Sequence, residues 1–353
     1  MIIKSVEIAR VLGISKASVS LALNGKPGVS SETREAILRC KAELEQKTMQ
    51  RQSSRSGIPA ASQAAQDTSE TTHSKMLKII VFERGVSVIN DTALNLWSEF
   101  LSLFERLAKT HGYFISLTYA DLEPENTTNI VTECNQSDIF GVLLFATEMQ
   151  PEDYIPFSGI TKPMVIYDNN LTDQHHCIVA DNTDITRQCI SHLVSKGYQK
   201  MIYLAHNISI YNFEMRRFGF IEGIYSQGLE PSACAMLKVG DTIEDIERYM
   251  SAWIKDHPLP DVFITESYRA SIGLMQSLQK QGIGVPDQVG VIGIDEVPSY
   301  MAAGKRLSHI HIDHIDRVSI ALNMLINDIN NETAQAKHII ILRSRIIEGE
   351  TLR

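Results

Sequence analysis

Apolar positions divide the chain into three stretches. Residues 1–46 carry them at helical spacing: Val6, Ile8, Ala9 and Leu12 line one side of a first helix, Val19, Ala22 and Leu23 recur in a second, and Ile37, Leu38 and Leu44 mark a third. Ser5 and Ser15 stand where N-caps belong, Gly13 suits the left-handed residue that ends the first helix, and "NGKPGVS" stops the second. Residues 47–76 lose this period; Ser, Gln, Ala and Thr dominate, the composition of a flexible linker. From residue 77 onward the short runs "LKIIVF", "FGVLLFA", "PMVIYD", "CIVAD", "KMIYLA", "DVFIT" and "VGVIGID" alternate with amphipathic patterns such as "LWSEFLSLFERLAKTHGY" and "RVSIALNMLINDI". Runs that are apolar throughout are strands buried on both faces, so residues 77–353 are expected to form an α/β core of two doubly wound subdomains.

The first two helices, joined by a short turn containing Gly, make an all-α helix-turn-helix unit. Its second helix is sized for the major groove and turns Lys16, Ala17, Ser20 and Leu21 outward. Charge supports a polyanion partner for this unit alone. Residues 1–55 hold ten Lys or Arg against five Glu, a balance of +5, which leaves −14 on the remainder of a chain whose total is −9.

The run "IARVLGISKASVSLALNGKPGVSSETREAIL" resembles the DNA-binding headpiece of the lactose-repressor and galactose-repressor family of bacterial transcription regulators. The resemblance implies DNA-facing roles for Ser5, Ser15, Lys16, Ala17, Ser18, Ser20, Leu21, Asn24 and Lys26, and a palindromic double-stranded operator read by a homodimer. Leu21 replaces the Arg common at its position, and an aliphatic side chain touches a thymine methyl but cannot bridge guanine O6 and N7. Relatives also fold a hinge helix that wedges a Leu into the minor groove. Here Ala64 and Gln66 occupy the positions of the family's Arg and Leu, so "IPAASQAAQ" is a degenerate remnant and the linker is expected to act as a tether. Over residues 77–353 the likeness implies a periplasmic-binding-protein-like core that binds an effector and dimerises, with crossovers between subdomains near residues 181, 310 and 335.

Composition narrows the remaining classes. The chain is 44% hydrophobic, yet no segment reaches the roughly 18 apolar residues of a membrane span and the opening lacks a secretory signal, so a cytoplasmic protein with no membrane partner is expected. Five scattered Cys without a C-x-x-C pair indicate neither a disulfide framework nor a zinc site. No dinucleotide fingerprint, P-loop or nucleophile elbow is present, so neither an enzyme nor a cofactor is expected. "HIHIDH" sets His309 and His311 on one face of a strand, with Asp313 and His314 beyond. Hydrogen-bonded or solvated histidines account for it more simply than a metal does.

Strand ends are where open α/β sheets collect ligands. Asp168, Asp181 and Asp295 each end an apolar run, and Arg216 opens an R-x-x-G-aromatic signature. Asp181 precedes a helical pattern and reads as its N-cap. The resemblance assigns Trp97, Phe145, Asp168, Arg216, Ser267 and Asp295 to the effector site, with Ser267 and Tyr268 replacing the family's usual Asn-Asp pair. For Arg216 an ion pair with Glu214 or Glu222, and for Trp97 a place in the helix core, are the plain alternatives. Carboxylates, a guanidinium fork and an aromatic face suit a sugar, so the expected function is an effector-controlled DNA-binding repressor. A carbohydrate-binding module without a DNA role would have no use for residues 1–46, and an α/β enzyme would be told apart by a turnover assay with candidate sugars and nucleotides.

Overall fold

The computed structural model of the protein describes residues 75–84, 96–331 and 336–353, together with Val19, Thr33 and Ile37, all three helical. The chain divides into two compact units, Met1–Thr71 and Thr72–Arg353. In the first, Val19 and Ile37 have no exposed surface, in keeping with their inward phase. The DNA-facing positions Ser5, Ser15, Lys16, Ala17, Ser18, Ser20, Leu21, Asn24 and Lys26 lie outside the described residues, as does the linker up to Ser74.

The second unit is built on strands β1 (Met76–Phe82), β2 (Phe114–Ala120), β3 (Ile139–Phe145), β4 (Met164–Tyr167), β5 (His176–Ala180), β6 (Met201–Ala205), β7 (Cys234–Lys238), β8 (Val262–Thr265), β9 (Gly290–Ile294), β10 (Ser308–His311), β11 (Ile339–Leu342) and β12 (Arg345–Ile347). They form two six-stranded sheets, ordered β11-β5-β4-β3-β1-β2 and β12-β10-β9-β8-β6-β7. Pairing is parallel between neighbours such as β1 and β3, and antiparallel between β10 and β12. The longer helices are α1 (Leu96–Thr110), α2 (Pro124–Cys134), α3 (Asn182–Ser195), α4 (Tyr211–Ser226), α5 (Ile243–Asp256), α6 (Tyr268–Lys280) and α7 (His314–Asn330).

Each sheet is covered on both faces, which is why its inner strands read as unbroken apolar runs. Leu77, Ile79 and Val81 of β1 pack with Phe104 of α1 and Leu322 and Leu325 of α7. Their alternates Ile80 and Phe82 pack on the opposite side with Ile130 and Phe157. Of the strands outside the apolar runs, β2, β7, β11 and β12 are sheet edges that leave part of their length exposed, whereas β10, the "SHIH" strand, is interior. Helix α2, "PENTTNIVTEC", also escaped the apolar pattern, because it buries little beyond Thr127, Ile130 and Cys134.

The chain passes between the sheets after β5 at Asp181, after β10 at Ile312 and Asp313, and between β11 and β12 at Arg343 and Ser344. The last passage lies beyond the position near 335 read from the sequence, because β11 continues the first sheet, pairing Ile339–Leu342 with Cys177–Ala180. Asp181 caps α3 by accepting from the Asp184 amide at 3.2 Å. The described cysteines are free: Cys134, Cys177 and Cys189 are buried and Cys234 is partly exposed.

One close approach between helices positions the arginine of the R-x-x-G signature. A Cβ on Gly219 would lie 2.2 Å from the Thr183 carbonyl oxygen, and one on Gly223 would lie 2.8 Å from Ile190 Cγ1. Without these side chains α4 lies directly on the start of α3, and Arg216, one turn before Gly219, reaches Asn182. Alanine at 219 gains about 1 kcal/mol of helix propensity. The neighbour, however, is a backbone carbonyl that cannot rotate aside, and overpacking of this kind costs roughly 1–3 kcal/mol or more. We expect Gly219→Ala to lower the urea midpoint, whereas a gain in stability would mean the helices part freely.

Candidate functional site

Between the two sheets lies a cavity of about 640 Å³. The first lobe contributes Trp97, Phe145, Thr147, Tyr167, Asp168 and, from α7, Arg317; the second contributes Asn212, Phe213, Arg216, Ser267 and Asp295. The structure therefore brings Trp97, Phe145, Asp168, Arg216, Ser267 and Asp295 together on one surface, although they are scattered over two lobes.

The two aspartates occupy equivalent places. Asp168 follows β4 with φ 71° and Asp295 follows β9 with φ 68°, both in the left-handed region that non-glycine residues rarely adopt. Each is held by a ladder bond from its own amide, Asp168 to the Ile178 carbonyl at 2.9 Å and Asp295 to the Ile310 carbonyl at 3.0 Å. That backbone turn aims both carboxylates at the cavity. Asp168 accepts from Thr147 Oγ1 at 3.0 Å and from Arg317 Nη2. Burial alone would raise its carboxyl, but Arg317, Thr147 and Arg216 together hold it below the usual aspartate value. Asp295 faces His314 Nε2 at 3.2 Å, and against its burial the neighbouring His314, Arg216 and Arg317 hold it low as well. Both carboxylates are ionised at neutral pH.

Arg216 is 6% exposed and makes no ion pair with Glu214 or Glu222. It donates from Nε to Asn182 Oδ1 and from Nη1 to the Glu266 carbonyl oxygen, each at 2.8 Å. Glu214 instead meets Arg217, whose Nε and Nη2 grip the fully buried Glu266 carboxylate at 2.8 and 2.9 Å. Burial pushes Glu266 above the ordinary glutamate value despite Arg217. Asn182 Nδ2 in turn donates to Asn212 Oδ1 at 2.7 Å, which fixes the Asn212 amide with its NH₂ turned from Asn182.

Ser267 caps α6, and its hydroxyl lies 2.6 Å from His206 Nε2. The other ring nitrogen, Nδ1, is 2.9 Å from the Gly240 carbonyl and must carry the proton, since a carbonyl can only accept. Burial lowers His206 to about 4, so the ring is neutral and Nε2 accepts the serine proton. Ser267 can then only accept from a ligand.

The apolar wall is continuous. Trp97 stacks on Phe100 at 5.1 Å and meets Phe145 edge-on at 5.0 Å, so it lines the cavity as well as packing its own helix. His309 is buried beside His311 and its Nδ1 lies 3.0 Å from the Leu307 carbonyl; among the described residues no group of three or more His, Cys, Asp or Glu is placed to hold a metal.

Arg317, Asn212, Thr147 and Tyr167 were missed in the sequence. One signal for Arg317 was present: it shares the buried phase of α7 with Ala321 and Leu325, an unusual place for an unpaired arginine. Its partner is 149 residues away, and its guanidinium lies 4.5 Å from the Tyr167 ring centre.

Two lobes joined by three passages, with a cavity between them, give the core the periplasmic-binding-protein architecture. A family model of the periplasmic binding protein-like domain matches residues 190–352. The ribose operon repressor of Halalkalibacterium halodurans is 23% identical over 326 residues, 92% of this chain and 90% of that protein. Two solved structures each cover 98% of both chains: the transcriptional regulator CelR–cellobiose complex, TM-score 0.65 at 18% identity, and the lac repressor dimer bound to operator and the anti-inducer ONPF, TM-score 0.66 at 17% identity. The chain is similar over most of its length to transcription regulators of the lactose-repressor and galactose-repressor family and shares their fold. No helix among the described residues is long and apolar enough to cross a membrane.

Proposed function

We infer that the chain is a DNA-binding transcription repressor whose operator affinity is set by a small effector held between the two core lobes. The convergence of Asp168, Arg216 and Asp295 on one cavity between lobes carries this reading. Relatives named as repressors, among them the ribose operon repressor, support it over most of their length. The protein acts as a regulator in the cytoplasm and not as an enzyme. A ligand that touches both lobes favours one arrangement of them, and only such a difference in affinity can shift DNA binding. Residues 1–46 are the reading head and residues 47–76 its tether. The homodimer presents two heads to a palindrome, and the effector is a sugar or a close chemical relative.

The test is selection of duplexes from a random pool by the full chain at one fixed salt concentration, because phosphate contacts are salt-dependent. A palindromic site is expected, with A·T at the base pair facing Leu21. Inserting one base pair between half-sites, or changing only the central step, should cost less than the roughly 1–3 kcal/mol of a read base pair. An invariant guanine read by Leu21 would refute the groove assignment. Failure to select any duplex would refute the function.

A further inference from the structure

The donors and acceptors around the cavity are unbalanced, and the imbalance describes the ligand. Arg216 carries a full charge, yet its only hydrogen-bond partners are the neutral oxygens Asn182 Oδ1 and the Glu266 carbonyl; among the described residues its Nη2 has no acceptor. The Asn212 amide points the same way. Its oxygen is taken by Asn182, whose own oxygen is taken by Arg216, so the Nδ2 group of Asn212 is left with no acceptor. Across the cavity Arg317, 2% exposed, contacts Asp168 through Nη2 while its buried Nε has no partner. The acceptors are better supplied: Asp168 already receives Thr147 and Arg317, and Asp295 faces His314. What remains open for a ligand's hydroxyls is the outer edge of Asp295 and the oxygen of Ser267, which gives its proton to His206.

We propose that the effector is a hydroxylated small acid, whose oxyanion docks on Arg216 Nη2 and Asn212 Nδ2 and whose hydroxyls donate to Asp295 and Ser267. A buried guanidinium held only by neutral oxygens gains most from a charged acceptor, because charge-assisted bonds are roughly twice as strong as neutral ones. A neutral sugar's hydroxyls could also accept from these donors, but only as uncharged acceptors, without the gain of a charge-assisted bond. The oxyanion is a carboxylate or a phosphate; the same fork accepts both. The facing apolar wall of Trp97, Phe100 and Phe145 covers the carbon skeleton. This rests on the cavity being the effector site proposed above.

The experiment measures thermal stabilisation and equilibrium binding of the full chain by matched probes: D-glucuronate against D-glucose, D-ribose 5-phosphate against D-ribose, and inorganic phosphate and acetate against chloride at equal ionic strength. The two sugar pairs separate carboxylate from phosphate. We expect an anionic member to bind roughly ten- to a hundredfold tighter than its neutral twin, the range for one hydrogen bond to a charged group. Asn212→Asp keeps the oxygen that accepts from Asn182 and so preserves the fold, but it places a carboxylate where the oxyanion would sit. It should abolish the difference in affinity between the members of each pair, and Arg216→Gln should do the same. Equal binding of neutral twins, an anionic preference that survives Asn212→Asp, or no anion stabilising the chain beyond chloride overturns the proposal. If a neutral compound then controls operator release, only the oxyanion is lost. If no bound compound alters DNA binding, the effector reading itself fails.

Discussion

Glu266→Ala is expected to destabilise the core by roughly 3–5 kcal/mol, the cost of leaving a buried charge without its partner. The Glu266 carboxylate is fully buried and receives Arg217 Nε and Nη2, the His206 amide at 2.7 Å and, more weakly, the Tyr203 hydroxyl at 3.3 Å. Removing it leaves Arg217, which is 7% exposed, with the part-exposed Glu214 and the His206 and Ile208 carbonyls in place of its buried carboxylate. The pair is not therefore a source of net stability, since burial pushes Glu266 upward even with the guanidinium in place. The double variant Arg217→Met with Glu266→Gln, which buries no charge and keeps an acceptor for the His206 amide, should lose less than Glu266→Ala alone. Urea midpoints of the three chains decide the matter. Equal losses would mean that shape, and not charge, sets the cost. Because Glu266 also offers its carbonyl to Arg216, a displaced strand end should weaken effector binding in the single variant.

Arg216→Ala should abolish the effector's influence on DNA binding, and Asp295→Asn should weaken it at least tenfold, one hydrogen bond to a charged group being worth about 1.5–3 kcal/mol. Asn is preferred to Ala at 295 because the residue sits at φ 68°, which Asn tolerates better than other non-glycine residues. Truncating Arg216 releases two neutral oxygens beside a cavity that water can enter, so the fold should survive. Neither residue belongs to the DNA-reading unit, so effector-free operator affinity should stay within about 0.5 kcal/mol of the parent, as for independent sites. Operator titrations with and without the effector measure both quantities. Two variants that respond normally would move the effector elsewhere; a large fall in effector-free affinity would mean the side chains hold the lobes in the DNA-binding arrangement.

The sequence by itself determined the inner strands, because a strand buried on both faces must be apolar along its whole length, as "LKIIVF" and "VGVIGID" are. It also marked Asp168 and Asp295, since a carboxylate closing such a run stands at the sheet end where ligands gather. Peripheral elements were illegible for the converse reason. Strand β2 exposes Phe114, Leu117 and Tyr119, and α2 leans on Thr127, so neither carries a clean period. Tertiary structure alone decided the partners. Arg216 could be read as a fork facing Glu214, yet the close approach at Gly219 delivers it to Asn182, and that contact orients Asn212. Arg317 acquires meaning only through Asp168, across 149 residues and two passages between the sheets. A local pattern records which face of an element is buried, whereas charge and hydrogen-bond partnership depend on what the fold sets opposite it. The polarity of the cavity, and with it the kind of effector it fits, therefore belongs to the assembled lobes.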